Sequence, residues 1–244
     1  MNAMLTLIRC EAKMVVRDTA GLVVPIALPM LILVMNASAA GDQRVAGGRS
    51  ALEVYVLPLV FAIVLSTIGI VNMPSFLAYY RHGGILRRLA VTPVSPVTVL
   101  VAQLVVSLAQ ALVGIALAYT VAVTAFGARP PAGTGTALAV VGLAVAAIYS
   151  LGMVVASVAP TPNSAVAIGL VSFFALGAVG GLFGGVDSLP DPLAAAASWL
   201  PFGATVEALS NAWAGTPVAT DNLVGLAVTA IAGSAVAALL FRWT

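Results

Sequence analysis

Residues 79–93 read YYRHGGILRRLAVTP, and their charged centre separates two long uncharged stretches, Val54–Tyr80 and Leu89–Ala128. This segment holds three of the ten lysine and arginine residues and the only histidine of the chain. A charged segment between two bilayer-spanning stretches must emerge into water, and its positive charge predicts the cytoplasmic side. We therefore expect this segment to be the place where a membrane protein meets a cytoplasmic partner.

The composition indicates an integral membrane protein. Of the 244 residues, 61% are hydrophobic and 7% are charged, whereas a soluble domain carries about 25% charged residues. The net charge of +2 comes from short basic clusters near the ends of apolar stretches, a distribution that argues against a nucleic-acid partner. The single cysteine, Cys10, excludes an intramolecular disulfide.

Charges and prolines divide the chain into six predicted membrane helices. A helix needs about 20 apolar residues to cross a bilayer. Pro93 and Pro96 delay the start of the third span, and the two prolines in Ala159–Asn163 separate the fourth span from the fifth. The predicted spans are residues 19–41, 54–80, 97–128, 137–158, 164–184 and 222–241.

The remaining segments complete an all-α integral membrane fold that forms one domain, 1–244. Residues 1–18 carry Thr6, Arg9, Lys13 and Arg17 along one face, which predicts an amphipathic helix in the membrane interface. This helix is expected to anchor the first span, and it could also form one wall of a docking socket for a soluble partner. Residues 185–221 are less hydrophobic, and their short apolar pieces predict interfacial or re-entrant helices before the last span.

The basic residues predict that both termini lie in the cytoplasm. With that orientation, seven basic residues lie inside and three lie outside, in agreement with the positive-inside rule. The inside set is Arg9, Lys13, Arg17, Arg81, Arg87, Arg88 and Arg242, and the outside set is Arg44, Arg49 and Arg129. Residues 185–221 are then external.

Sites for catalysis are not found in the sequence. The only lysine, Lys13, is far from any glycine-rich loop, so a phosphate-binding loop for ATP is excluded. We expect no catalytic, cofactor-binding or metal-binding residue in this chain, which disfavours an intramembrane enzyme. The predicted spans also lack a charged residue at their centres. Ion-coupled carriers usually need such a residue, so a secondary transporter or channel that works without an ATPase is the disfavoured alternative.

Two sets of residues within the spans suggest specific roles. Gln103, Ser107 and Gln110 share one face of the third span. They form either hydrogen bonds between helices or a polar seam along a translocation path, and the sequence leaves both interpretations open. Glycines recur at four-residue spacing in the fifth span, which predicts close helix packing and, as a weaker inference, a sliding dimer interface. These glycines are Gly177, Gly181 and Gly185.

Two motifs resemble those of ABC-2 type permeases, the transmembrane subunits of ATP-driven exporters. Residues 84–95, GILRRLAVTPVS, resemble the G-T-L-E-x-L-x-x-T-P loop that follows the second span in that family. The family also has a run of L-P, L-P and E-A-L before the last span. Similar pieces occur here, in the same order, at residues 189–190, 199–202 and 207–209. The resemblance covers nearly the whole chain. It implies a separate ATP-binding subunit that holds the ATP, a second identical or different permease subunit, and export across a bacterial plasma membrane.

The resemblance makes residues 79–95 a cytoplasmic coupling loop that contacts the ATPase. The residues expected to couple to it are Arg81, Gly84, Leu86, Arg87, Arg88, Leu89, Thr92 and Pro93. The family's threonine and glutamate are replaced here by Ile85 and Arg87. This reversed charge predicts a complementary acidic groove on the partner ATPase.

The expected cargo is an amphipathic small molecule, a drug or a lipid. Aromatic residues make up 7% of the chain and do not form the dense runs expected of a polysaccharide channel. The predicted outer loops are also small and leave no large external domain.

Overall fold

The computed structural model describes residues 3–40, 43–45, 48–84 and 96–240. Over these ranges the chain is helical, apart from turns and an isolated bridge between Arg44 and Ser50. The helices are α1 (Ala3–Arg17), α2 (Thr19–Ala40), α3 (Leu52–His82), α4 (Pro96–Phe126), α5 (Thr134–Val158), α6 (Pro162–Val179), α7 (Asp191–Ala197), α8 (Pro201–Ala214) and α9 (Thr220–Leu240).

Six of these helices, α2 to α6 and α9, are long and apolar enough to cross a membrane. The predicted all-α integral membrane fold is therefore confirmed. An amphipathic helix, α1, precedes the first span, and the two short helices α7 and α8 precede the last one. The predicted proline break separates α5 from α6. The Thr161 hydroxyl caps α6 by accepting a hydrogen bond from the backbone N–H of Ser164 at 3.2 Å.

Helix α3 lies at the centre of the bundle. In the most hydrophobic 18-residue stretch of α3, 78% is buried, whereas the corresponding share in the other five spans is 22–44%. Two segments of α3, Leu52–Val56 and Thr67–Asn72, are π-helical. The second π-helical segment packs against both α5 and α6, so the irregular part of α3 lies where three spans meet.

Two glycines allow this close packing. A Cβ atom on Gly169 of α6 would lie 2.5 Å from the carbonyl oxygen of Ile70, and one on Gly152 of α5 would overlap the carbonyl of Gly69. Real Cβ atoms do not approach backbone atoms this closely. Any larger residue at either position would therefore push α5 or α6 away from α3.

The predicted glycine stripe of the fifth span is not formed, and the predicted end of that span at residue 184 is wrong. Helix α6 ends at Val179, and Gly181 and Gly185 lie beyond it with φ of +87° and +82°. The N–H of Leu182 donates to the carbonyl of Gly177 at 2.8 Å, which together with the left-handed Gly181 is typical of a glycine-terminated helix. The glycine run ends the helix because it readily adopts the left-handed conformation.

Candidate functional site

The end of the bundle that carries α1 also carries the last turn of α3 and the C-terminus of α5. We call this the α1 end. The predicted coupling loop leaves α3 here, so the contacts of the last turn of α3 determine which helices would move with that loop.

The first contact joins α3 to α1. The Tyr80 hydroxyl donates a hydrogen bond of 2.5 Å to Oε1 of Glu11, which is only 3% exposed. Burial raises the pKa of the Glu11 carboxyl, and the hydrogen bond from Tyr80 lowers it by a smaller amount. The second oxygen of Glu11, Oε2, is buried without a partner among the described residues. Sequence reasoning missed this pair, although an acid on the apolar face of a basic helix was a visible signal.

The second contact joins α3 to α5. The Arg81 guanidinium donates to the carbonyl oxygens of Ala156, Ser157 and Ala159, at 2.7, 3.2 and 3.4 Å. These carbonyls lie at the C-terminus of α5, where helical acceptors have no partner in the helix and the helix dipole favours a cation. Arg81 therefore caps α5 from the last turn of α3, in addition to any role at the coupling surface.

Only the beginning of the predicted coupling loop lies within the described residues. Gly84 follows α3 with φ +63° and forms a turn, in which its N–H donates to the carbonyl of Arg81 at 3.1 Å. The remaining coupling residues, Leu86, Arg87, Arg88, Leu89, Thr92 and Pro93, lie outside the described residues. Their role at an ATPase stays a prediction.

The three polar residues of the third span face the interior of the bundle. Gln103, Ser107 and Gln110 are 1%, 2% and 7% exposed. The Gln110 amide donates to the carbonyl of Gly21 at 2.7 Å and accepts from Asn72 at 3.2 Å, and Asn72 donates to the same carbonyl at 2.8 Å. Gln110 thus forms the hydrogen bonds between helices that the sequence left open, and these bonds join α2, α3 and α4.

The other two residues of this set are placed differently. The Ser107 hydroxyl donates to the carbonyl of Leu104 in its own helix at 3.0 Å. The Gln103 carbonyl oxygen is buried without a partner among the described residues. A role for these residues along a translocation path stays a prediction.

A half-open groove of about 290 Å³ lies between α2, α3 and α6, in the half of the bundle nearer to α1. Its walls are mainly apolar, and the phenyl rings of Phe173 and Phe174 form part of them. Polar groups come from Asp18, Thr67, Asn72 and Ser75, and the apolar lining includes Ala20, Val24, Pro25, Leu28, Val71, Val166 and Leu170. The sequence did not predict this groove, because it depends on which helices pack together.

Of the described residues that line the groove, Asp18 is the charged one. It lies between α1 and α2 and caps α2, because its Oδ1 accepts a hydrogen bond of 3.1 Å from the N–H of Gly21. No hydrogen bond from the described residues reaches its other oxygen, Oδ2. A Cβ atom on Gly21 would lie 2.7 Å from that oxygen, so glycine at position 21 leaves room for the carboxylate.

The opposite end of the bundle is held by ion pairs on Glu53. Its side chain is 3% exposed and lies 3.2 Å from the guanidinium of Arg129 and 3.5 Å from that of Arg49. Arg129 also donates to the carbonyl of Gly48 at 2.7 Å, and Arg49 donates to that of Pro130 at 2.7 Å. These contacts join the turn before α3 to the turn between α4 and α5, and none of these residues lines the groove.

Within the described residues, no group of three histidine, cysteine, aspartate or glutamate side chains is arranged to hold a metal ion. A family model described as ABC-2 type transporter matches residues 2–212, a range that includes the α1 end and the groove. A comparison with curated proteins found no match.

Proposed function

We propose that this chain, which belongs to the ABC-2 type transporter family, is the permease subunit of an ATP-driven exporter of amphipathic molecules. Membership of this family makes it a membrane transport component and implies an ABC transporter system with an ATP-binding partner. The finer parts of the proposal are a second permease subunit, a bacterial plasma membrane and cytoplasmic termini. ATP binds the partner subunit, and this chain has no ATPase site.

The groove between α2, α3 and α6 is the observation that carries the proposal. An amphipathic cargo needs apolar walls and a few polar groups, and the groove has both. In the proposed orientation the groove lies in the cytoplasmic half of the membrane, where an exported molecule would enter. Val24, Leu28 and Phe174 are large apolar lining residues that remain exposed in the single chain, so lipid or a second permease subunit would cover them.

The contacts at the α1 end suggest how the ATPase would act on the groove. Movement of the coupling loop would be transmitted to α3, which is bonded to α1 through Tyr80 and to α5 through Arg81. Thr67, Val71, Asn72 and Ser75 of the same helix line the groove. A tilt of α3 would therefore change the shape of the groove without any charged residue at the centre of the spans.

A matched pair of tryptophan variants tests this function. The permease is purified with its ATPase, reconstituted in vesicles, and assayed for ATP-dependent export of an amphipathic dye. Val166→Trp adds a large ring to the groove, and we expect export to fall about tenfold while the ATPase still co-purifies. Val228→Trp makes the same change at an exposed position of α9, and we expect it to export like the unaltered protein.

Two results would contradict the proposal. Unchanged export by Val166→Trp would show that cargo does not use the groove. Export that continues with an ATPase unable to hydrolyse ATP would favour a secondary transporter or channel instead.

A further inference from the structure

We propose that the groove selects cationic amphipathic molecules and that the Asp18 carboxylate recognises the positive charge. This inference rests on the proposed function, because it names the class of cargo that the groove would take. The ligand is defined by its chemistry as a lipophilic cation with apolar groups around or beside the charge.

The first argument is the position of the carboxylate. Asp18 lies at one end of a mainly apolar groove, and one of its oxygens is used to cap α2. The other oxygen receives no hydrogen bond from the described residues. Asp18 is partly buried beside the apolar walls of the groove, so a cation bound there can approach this oxygen directly.

The second argument is the charge balance of the groove. Among the described residues that line the groove, none is lysine or arginine, so none of them compensates the negative charge of Asp18. The neighbouring Arg17 forms no ion pair with Asp18 in the part of the chain that the structure describes. An anionic ligand would meet a like charge there, whereas a cationic ligand would be attracted.

The third argument is the presence of two phenyl rings in the groove. Phe173 and Phe174 line the same groove, and their ring centroids are 5.1 Å apart. Aromatic rings offer a large apolar surface to the hydrophobic groups of a ligand. A lipophilic cation could therefore contact aromatic rings with its apolar groups while its charge faces Asp18.

A binding experiment separates charge recognition from apolar binding. The permease is placed in phosphatidylcholine nanodiscs, and binding of tetraphenylphosphonium is compared with that of neutral triphenylphosphine oxide after subtraction of empty nanodiscs. Asp18→Asn removes the charge but keeps a residue that caps helices equally well. We expect it to weaken tetraphenylphosphonium binding about tenfold and to leave binding of the neutral probe unchanged.

Two further variants distinguish a loss of charge recognition from a loss of folding. Asp221→Asn removes an exposed acid at the start of α9, and we expect it to bind both probes like the unaltered protein. Ser75→Lys introduces a positive charge into the groove without touching the cap of α2, and we expect it to lose the cation but not the neutral probe. If Asp18→Asn does not fold, Ser75→Lys decides the question.

The outcomes distinguish this inference from the proposed function. If Val166→Trp abolishes binding of both probes while Asp18→Asn and Ser75→Lys bind the cation normally, the groove binds ligands but does not select their charge, and the inference is wrong. If Val166→Trp binds both probes normally, the groove is not the binding site, and the proposed path falls with it.

Discussion

At the scale of single residues, Glu11 combines a buried carboxyl with a single hydrogen-bond donor. Helix α1 otherwise carries arginine and lysine as its charged side chains, and its amphipathic pattern is typical of an interfacial anchor. The hydrogen bond from Tyr80 makes α1 part of the bundle as well. Asp18 similarly serves as a helix cap in addition to lining the groove, which the sequence did not reveal.

The Glu11–Tyr80 pair predicts a pH-dependent stability. Because the pKa of Glu11 is raised in the folded protein, its protonated form is favoured by folding. The stability contributed by this group is therefore full below its ordinary pKa and falls as the pH rises through the raised value. Glu11→Gln should remove this part of the pH dependence and should not lower the melting temperature at neutral pH, since an amide oxygen can still accept from Tyr80.

The opposite change completes this test. Tyr80→Phe removes the interaction that lowers the Glu11 pKa and leaves a buried carboxylate without a donor, which should cost about 1.5–3 kcal/mol at neutral pH. Melting of both variants and of the double variant is measured in nanodiscs at acidic and neutral pH. If Tyr80→Phe destabilises the protein equally in the presence of Glu11→Gln, the two side chains are not coupled and this account is wrong.

At the scale of helices, the contrast between Gly152 and the glycine run at residues 177–185 shows what a sequence can and cannot predict. Hydropathy and prolines predicted six spans, because span length and helix breaks are local properties. Helix pairing is not local, so the sequence could not show that Gly152 and Gly169 contact α3 while Gly181 ends α6. For the same reason it could not predict the groove. Arg81, Gly84 and Gln110 could be named as candidate residues because the sequence around each of them carried the signal.

A pair of alanine substitutions on α5 tests this packing. Gly152→Ala places a methyl group against the Gly69 carbonyl, and we expect a loss of about 1–3 kcal/mol in stability with lower yield. Gly142 lies on the same helix with no atom within 4 Å of an added Cβ, so Gly142→Ala should be neutral or slightly stabilising. Melting and size-exclusion profiles measure both, and equal behaviour of the two variants would mean that α5 does not contact α3 through Gly152.

At the scale of the whole molecule, the contacts form a continuous connection from the α1 end to the groove. Tyr80 and Arg81 bond the end of α3 to α1 and α5. Asn72, about two turns earlier in α3, bonds it to α2 and α4. Asn72 also lines the groove. A force applied to the coupling loop would therefore reach four neighbouring helices through a single central helix, provided that the loop contacts an ATPase.

The last prediction concerns that contact. Leu86 and Leu89 flank Arg87 and Arg88, so the loop could insert an apolar side chain while its guanidinium groups bind carboxylates on the ATPase. The double substitution Arg87→Glu with Arg88→Glu should abolish co-purification with the ATPase and export, and a charge-reversed ATPase should restore them. Thiol labelling of His82→Cys in a Cys10→Ser background verifies that the variant keeps its orientation, because the substitutions also change the positive-inside pattern.

A second charge reversal makes this test specific to the loop. Arg9→Glu with Lys13→Glu reverses two charges on the exposed basic face of α1. If α1 is only an interfacial anchor, this variant should keep its ATPase, whereas a loss of association would make α1 a wall of the docking socket. A correctly oriented Arg87→Glu, Arg88→Glu variant that still binds the ATPase and still exports would show that the two arginines serve only to orient the protein in the membrane.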